Sequence, residues 1–332
     1  LVKQKLRLAV IGLGKMGLLH ASLLNVIPEI DLVAICDRSA LLSRLYRKVF
    51  SSIGVEVVND VEGLVGLDLD VVYVTTPISS HSLLIKNIYS YEIARHIFAE
   101  KTLASDYDQA KELCEIARKA KGITMVGYMK RFNVVFSKAK ELLTERISGI
   151  PKSFKAYAYS SDFLGSAKQS KASTSRGGAL NDSGCHVIDL ALWLLGDLVV
   201  QDVASCVKNQ AGAETSVSFS VISSSDLKGQ FDVSQSMPNY RMPEFGLSIE
   251  CDDGRIDVND DRLLLIPNSG KIQKWYRHDL NDNVYFSIMD PEYFRENQYF
   301  VNSVLKRIPC EPSFNTASKV DRLIAQVRCR MN

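Results

Sequence analysis

The segment "NDSGCHVIDLALWLLGD" (181–197) sets Asp182, His186 and Asp189 among apolar residues. At i, i+4 and i+7 they share one helical stripe with Trp193, because successive helical residues turn by about 100°. An imidazole that titrates near neutrality, next to a carboxylate, can take and return a proton. The same residues can also form a buried network, and Asn181, Asp182 and Ser183 are all good helix N-caps. A metal site is not expected, since the adjacent Cys185 and His186 diverge around a helix and no third ligand follows. Asp189 and Trp193, one and two turns further on, are expected to be structural.

A second constellation is "AVIGLGKMG", with Gly12, Gly14 and Gly17 spaced G-x-G-x-x-G after a strand-like run and before a helical one. Glycines there allow a tight turn and let the backbone approach a pyrophosphate at the helix N-terminus, with Lys15 and Met16 opening that helix. Asp37 ends the next strand-like run, 20 residues after Gly17, where an acid binds the adenosine ribose hydroxyls. The expected cofactor is NAD, because a carboxylate repels the 2′-phosphate of NADP. Arg38 and Ser39 keep NADP possible, since a guanidinium and a hydroxyl can hold that phosphate.

The elements that must position these residues alternate up to about residue 127. "LRLAVIG", "DLVAICD", "DVVYVTT", "HIFAE" and "ITMVGY" read as strands, with helical stretches between them such as "YDQAKELCEIARKA". Near-continuous apolar strands separated by helices imply a parallel sheet covered on both faces. After about residue 150 the texture becomes successive strands, among them "KSFKAYAYSSDF", "TSVSFSVISS", "GQFDVSQSM" and "FGLSIECDD". Two helices are expected around 292–307 and 315–330, and 163–178 reads as a mobile polar loop. The fold class is therefore α/β joined to α+β. A doubly wound Rossmann sheet over 1–127 precedes a large, mostly antiparallel open-faced sheet over 128–332, with helices on one face.

Composition excludes several classes. With 46% hydrophobic and 23% charged residues the chain of 332 is globular, and a net charge of +2 without long single-sign runs argues against a nucleic-acid groove. No apolar run approaches the roughly 18 residues of a membrane span, and the start shows no leader pattern. Seven scattered cysteines, never in C-x-x-C spacing, signal neither zinc nor a disulfide framework. A cytoplasmic location is expected.

In order along the chain, "IGLGKMGLLH", "VTTPISSHSLLI", "HIFAEKTLA", "VGYMKRFN", "GGALNDSGCHVIDLALWLLGD" and "NYRMPEFGLSIECDDGRIDV" resemble the signatures of the glucose–fructose oxidoreductase, inositol dehydrogenase and rhizopine-catabolism (Gfo/Idh/MocA) family. The resemblance covers essentially the whole length. It implies that Lys101, Asp182 and His186 form the catalytic set. It further implies that Thr75, Thr76, Pro77, His81, Glu100 and Lys101 complete the cofactor site, and that Tyr128, Arg131 and Asn181 join the catalytic residues in binding substrate. One departure is Thr102, which stands where the family has proline, so the turn presenting Lys101 is expected to lose its fixed φ and any cis-proline geometry.

The implied activity is hydride transfer between NAD(P) and a secondary alcohol of a sugar, cyclitol or related polyol. The alternatives are an NAD-cycling lyase or glycosidase, and a non-catalytic nucleotide-binding regulator; keeping lysine, aspartate and histidine argues against the last. The open sheet face is too extensive to stay bare, so a homodimer or homotetramer through it is expected.

Overall fold

The computed structural model describes residues 5–50, 52, 54–162, 176–282 and 291–331, so all but the last three residues of the polar loop at 163–178 lie outside the described residues. The first unit contains β1 (Leu6–Ile11), α1 (Lys15–Asn25), β2 (Ile30–Cys36), α2 (Ala40–Phe50), β3 (Glu56–Val58), β4 (Val71–Val74), α3 (His81–Ser90), β5 (His96–Glu100), α4 (Tyr107–Ala120) and β6 (Thr124–Gly127). Its six strands run parallel in the order β3-β2-β1-β4-β5-β6. β4 is buried at every position, as a sheet covered on both faces requires. The order reverses between β1 and β4, and a crevice opens there at the carboxyl ends of the strands.

The second unit contains α5 (Val134–Thr144), β7 (Pro151–Tyr159), α6 (Cys185–Leu195), β8 (Leu198–Lys208), β9 (Glu214–Ser223), β10 (Lys228–Ser234), β11 (Glu244–Cys251), β12 (Gly254–Asn259), β13 (Arg262–Pro267) and β14 (Gln273–Tyr276). They form an eight-stranded sheet, β14-β13-β12-β11-β7-β10-β9-β8, in which β7 and β10 run parallel and the other neighbours antiparallel. Alternation makes one face apolar: Ala156 pairs with Leu247 and Phe231, and Phe231 stacks on Phe219 at 4.7 Å between ring centres. α6 covers β7 and β11, and α5 covers β12 and β13.

Two further helices, α7 (Pro291–Lys306) and α8 (Phe314–Arg330), follow β14. By compactness, Tyr293–Asp321 joins the first unit, and Arg322 onward joins the second. The sequence reading gave all of 128–332 to the second. The returning segment joins the first because Phe300 packs against Tyr73 and Phe98, and Cys310 against Met125. The backbone adds two bonds, Val126 N–H to Pro312 O (2.9 Å) and Phe314 N–H to Thr124 Oγ1 (3.2 Å). Among the described residues no helix is long and apolar enough to cross a membrane.

Candidate active site

The cofactor crevice is built from the backbone outward. Gly12 has φ +96°, and a Cβ on Gly17 would lie 1.7 Å from Gly12 O and 2.8 Å from Thr75 Oγ1. Both positions therefore demand glycine. Thr75 Oγ1 lies 2.9 Å from Ile11 O and 2.8 Å from Gly12 O, tying the end of β4 to the glycine turn. Gly14 has open space where a Cβ would stand, and α1 begins there with no side-chain cap and no acid in its first turn. Its free N–H groups and positive dipole end thus face the crevice, where a pyrophosphate fits. Lys15 is exposed at that helix start and Met16 half-buried.

Asp37 is fixed by Leu13 N–H donating to Oδ2 (2.7 Å) and Ser39 N–H donating to Oδ1 (2.8 Å). A carboxylate offers about four acceptor sites, so ribose hydroxyls can still be bound. The crevice encloses about 520 Å³ and is lined by Gly12, Gly14, Asp37, Arg38, Thr75, Thr76 and Pro77, among others. Two carboxylates that the sequence reading missed, Asp60 and Glu62, also line it. Their effect shows at Cys36, whose thiol is pushed up to about 12 by burial and then by Asp60, Asp37 and Glu62. Ser39 Oγ accepts from Leu42 N–H (3.3 Å) at the start of α2, so this hydroxyl is already engaged. A wall with three carboxylates suits the hydroxyls of NAD and opposes the extra phosphate of NADP.

His81 and Glu100, expected at the cofactor, are both buried. The His81 ring nitrogens lie 3.1 Å from Thr102 O and 2.9 Å from Thr76 O. Glu100 Oε1 lies 2.9 Å from His20 Nε2, and Oε2 accepts from Lys101 N–H at 3.1 Å. His20 Nδ1 meets Asn297 Oδ1 at 3.0 Å. Burial raises the Glu100 carboxyl, but His20 and Lys101 outweigh it and hold the group below the usual range. Lys101 follows directly, half-buried at the end of β5. The Lys101–Thr102 peptide is cis, contrary to the expectation from the missing proline. Thr102 is fully buried, with its Oγ1 on Ala104 O (3.3 Å) and its carbonyl facing His81.

In the second unit the helix carrying Asp182 and His186 does not start at Asp182. Leu180–Gly184 forms a π turn that runs into α6. An i→i+5 turn inserts one residue, so Asp182 leaves the straight stripe that uniform α-helical spacing draws. No side chain caps this turn; the Asp182 carboxylate instead accepts at Oδ2 from Gln235 Nε2 (2.9 Å) and Arg176 Nη1 (3.2 Å). His186 is 5% exposed, with its ring edge-on to Tyr128 and Phe245 at 6.1 and 5.3 Å. Asn181 Oδ1 accepts from Arg328 Nη2 at 2.5 Å.

Arg131, expected to bind substrate, pairs with Asp189. Nε donates to Oδ2 (2.7 Å) and Nη2 to Oδ1 (2.6 Å), and both side chains are buried. The guanidinium also lies 5.8 Å from the Trp193 ring centre. Asp189, Trp193 and Arg131 thus brace α6, with His186 in its first turn and Asp182 in the π turn before it.

A family model described as an oxidoreductase family with an NAD-binding Rossmann fold matches residues 6–128, and the C-terminal domain model of the same family matches 136–257. Together they cover well over half of the chain, which belongs to the Gfo/Idh/MocA oxidoreductase family. The chain is 29% identical over 198 residues to a scyllo-inositol 2-dehydrogenase (NAD(+)) of Bacillus subtilis, covering 59% of this chain and 55% of that one. It is 31% identical over 148 residues to a myo-inositol 2-dehydrogenase of Thermotoga maritima, covering 44% and 43%. The chain thus spans about half the length of these relatives. A solved levoglucosan dehydrogenase in complex with NADH and L-sorbose shares the fold, with a TM-score of 0.85, 18% identity, and coverage of 99% and 97%.

Proposed function

We propose that this protein is an NAD-dependent dehydrogenase that oxidises a secondary alcohol of a sugar, cyclitol or related polyol. The observation that carries the reading is the acid-walled glycine crevice, in a chain that also keeps Lys101, Asp182 and His186. Bound NAD supplies the hydride acceptor. His186 takes the hydroxyl proton, as an imidazole does near neutral pH. Asp182, held by Gln235 and Arg176, accepts a hydrogen bond from a substrate hydroxyl and orients it. Lys101 shares that proton, and it polarises the carbonyl in the reverse direction.

Inositol 2-dehydrogenases among the relatives support a cyclitol or sugar substrate. The test is net NADH formation across a panel of inositols, hexoses and their derivatives. Substrate turnover without net NADH would point instead to a lyase or glycosidase that re-reduces its intermediate. The same reading places the enzyme in the cytoplasm, where seven free thiols are at home. It also makes the protein a homodimer or homotetramer through the outer face of the eight-stranded sheet, where Tyr157 stacks on Tyr159 at 4.9 Å. Light scattering at micromolar concentration that finds only monomer would remove the oligomer.

A further inference from the structure

Gln235, one residue past β10, is 1% exposed. Its backbone N–H donates to Thr215 O (2.9 Å), and its Nε2 donates to Asp182 Oδ2 (2.9 Å). The amide is thus turned with its NH2 end toward Asp182, whose carboxyl oxygen accepts. The other end, Oε1, is buried without a hydrogen-bond partner among the described residues. A side chain kept only for packing would avoid that loss by being apolar. Arg176 Nη1 approaches the same Oδ2, so two donors converge on one carboxylate oxygen and fix the rotation of the group.

We propose that Gln235 is the positioning residue of Asp182: its NH2 holds Oδ2 and so fixes the rotation in which the carboxylate meets the substrate hydroxyl. The catalytic part of this rests on the dehydrogenase reading; the bond to Asp182 does not. The charged and titratable groups around it are Arg176, with Asp162 at 4.0 Å from the same Nη1, and His186 four residues along. Tyr159 bonded to Asp232, and Arg328 bonded to Glu214 and Asn181, lie on the elements next to the π turn.

The experiment uses Gln235→Glu and Gln235→Met in the full chain. Carbon-13 NMR follows the titration of the Asp182 carboxyl, assigned with Asp182→Asn. Glutamate would face Asp182 at hydrogen-bond distance, so the two must share a proton, and Asp182 should titrate higher by about one pH unit or more. Gln235→Met removes the donor and should also raise Asp182, by less. The acid limb of kcat/KM should move up with the titration in Gln235→Glu, and kcat/KM should fall about tenfold or more in Gln235→Met, with NAD affinity unchanged. An Asp182 titration that stays put in either folded variant overturns the proposal, as does a moved titration with an unmoved pH profile. If the unsubstituted protein turns over no polyol while the Asp182 titration moves as stated, the dehydrogenase reading fails and the hold of Gln235 on Asp182 stands.

Discussion

Asp189→Asn separates the bracing part of α6 from its chemical part. Asp189 and Arg131 are joined by two bonds of 2.6 and 2.7 Å, with side chains 1% and 6% exposed. Asparagine still accepts one of them, but its NH2 faces the second guanidinium N–H, and a buried positive charge loses its counter-charge. Removing one partner of a buried pair costs about 3–5 kcal/mol, and the bond asparagine retains puts this change near 3. At roughly 2–4 °C per kcal/mol for a domain of this size, Tm should fall by about 6–12 °C. Differential scanning fluorimetry measures the shift, and steady-state kinetics well below Tm should show KM and turnover within about twofold of the unsubstituted protein. The double variant Arg131→Met, Asp189→Leu removes both charges and fills the space, so it should recover most of the loss. A Tm change under about 2 °C for Asp189→Asn, or a double variant that loses the sum of the singles, would refute the bracing account. A large rise in KM at full stability would return Arg131 to the substrate.

Titration calorimetry should find NAD bound more tightly than NADP, with Asp37→Ala narrowing the gap and Glu62→Gln narrowing it further; NADP binding about tenfold tighter would move the phosphate to Arg38 and Ser39. The native pKa of Glu100 is depressed, so its stabilisation is complete above the ordinary value of 4.5 and is lost as pH falls through the lower native one. Acid unfolding below about pH 4.5 should therefore be shallower in Glu100→Gln, and an unchanged curve would count against the His20–Glu100 pair. Burial lifts the Asp321 carboxyl, whose Oδ1 meets Ala104 N–H at 3.5 Å, well above its ordinary value of 3.8. The folded state thus holds a proton that the unfolded state releases as pH rises past that value, and stability drops. Asp321→Asn should raise Tm near neutral pH and give a smaller gain near pH 4.

The first unit was legible because its long strands are near-continuous apolar runs ending in punctuation: "LRLAVIG" stops at Gly12 and "DLVAIC" at Asp37. β3 was missed, since three residues carry no period. So were α5 and the strands β13 and β14, although "VVFSKAKELL" places apolar residues at helical spacing and "RLLLIP" is a short apolar run. The return of Tyr293–Asp321 to the first unit left no local mark, because it depends on Phe300 and Cys310 meeting residues far earlier in the chain. At the site, residue types were readable and geometry was not. The π turn follows from no spacing rule, and the pairing of Arg131 with Asp189 joins residues 58 positions apart. Asp60, Glu62 and Gln235 lie outside every recognised motif and reach the site only through strand order and loop placement.

The central claim, that His186 and Lys101 handle the proton while the glycine crevice and Asp37 grip NAD, is tested most directly by one paired measurement. NADH formation with the best polyol of the panel and NAD binding by calorimetry are recorded for His186→Ala and Lys101→Ala beside the unsubstituted protein. Each variant should lose turnover by a factor of about 10² or more, as removal of a general acid–base does, with its NAD affinity and thermal unfolding little changed. A His186→Ala protein that melts much lower yet keeps near-normal turnover in the cold would make the histidine part of a buried network and contradict the account.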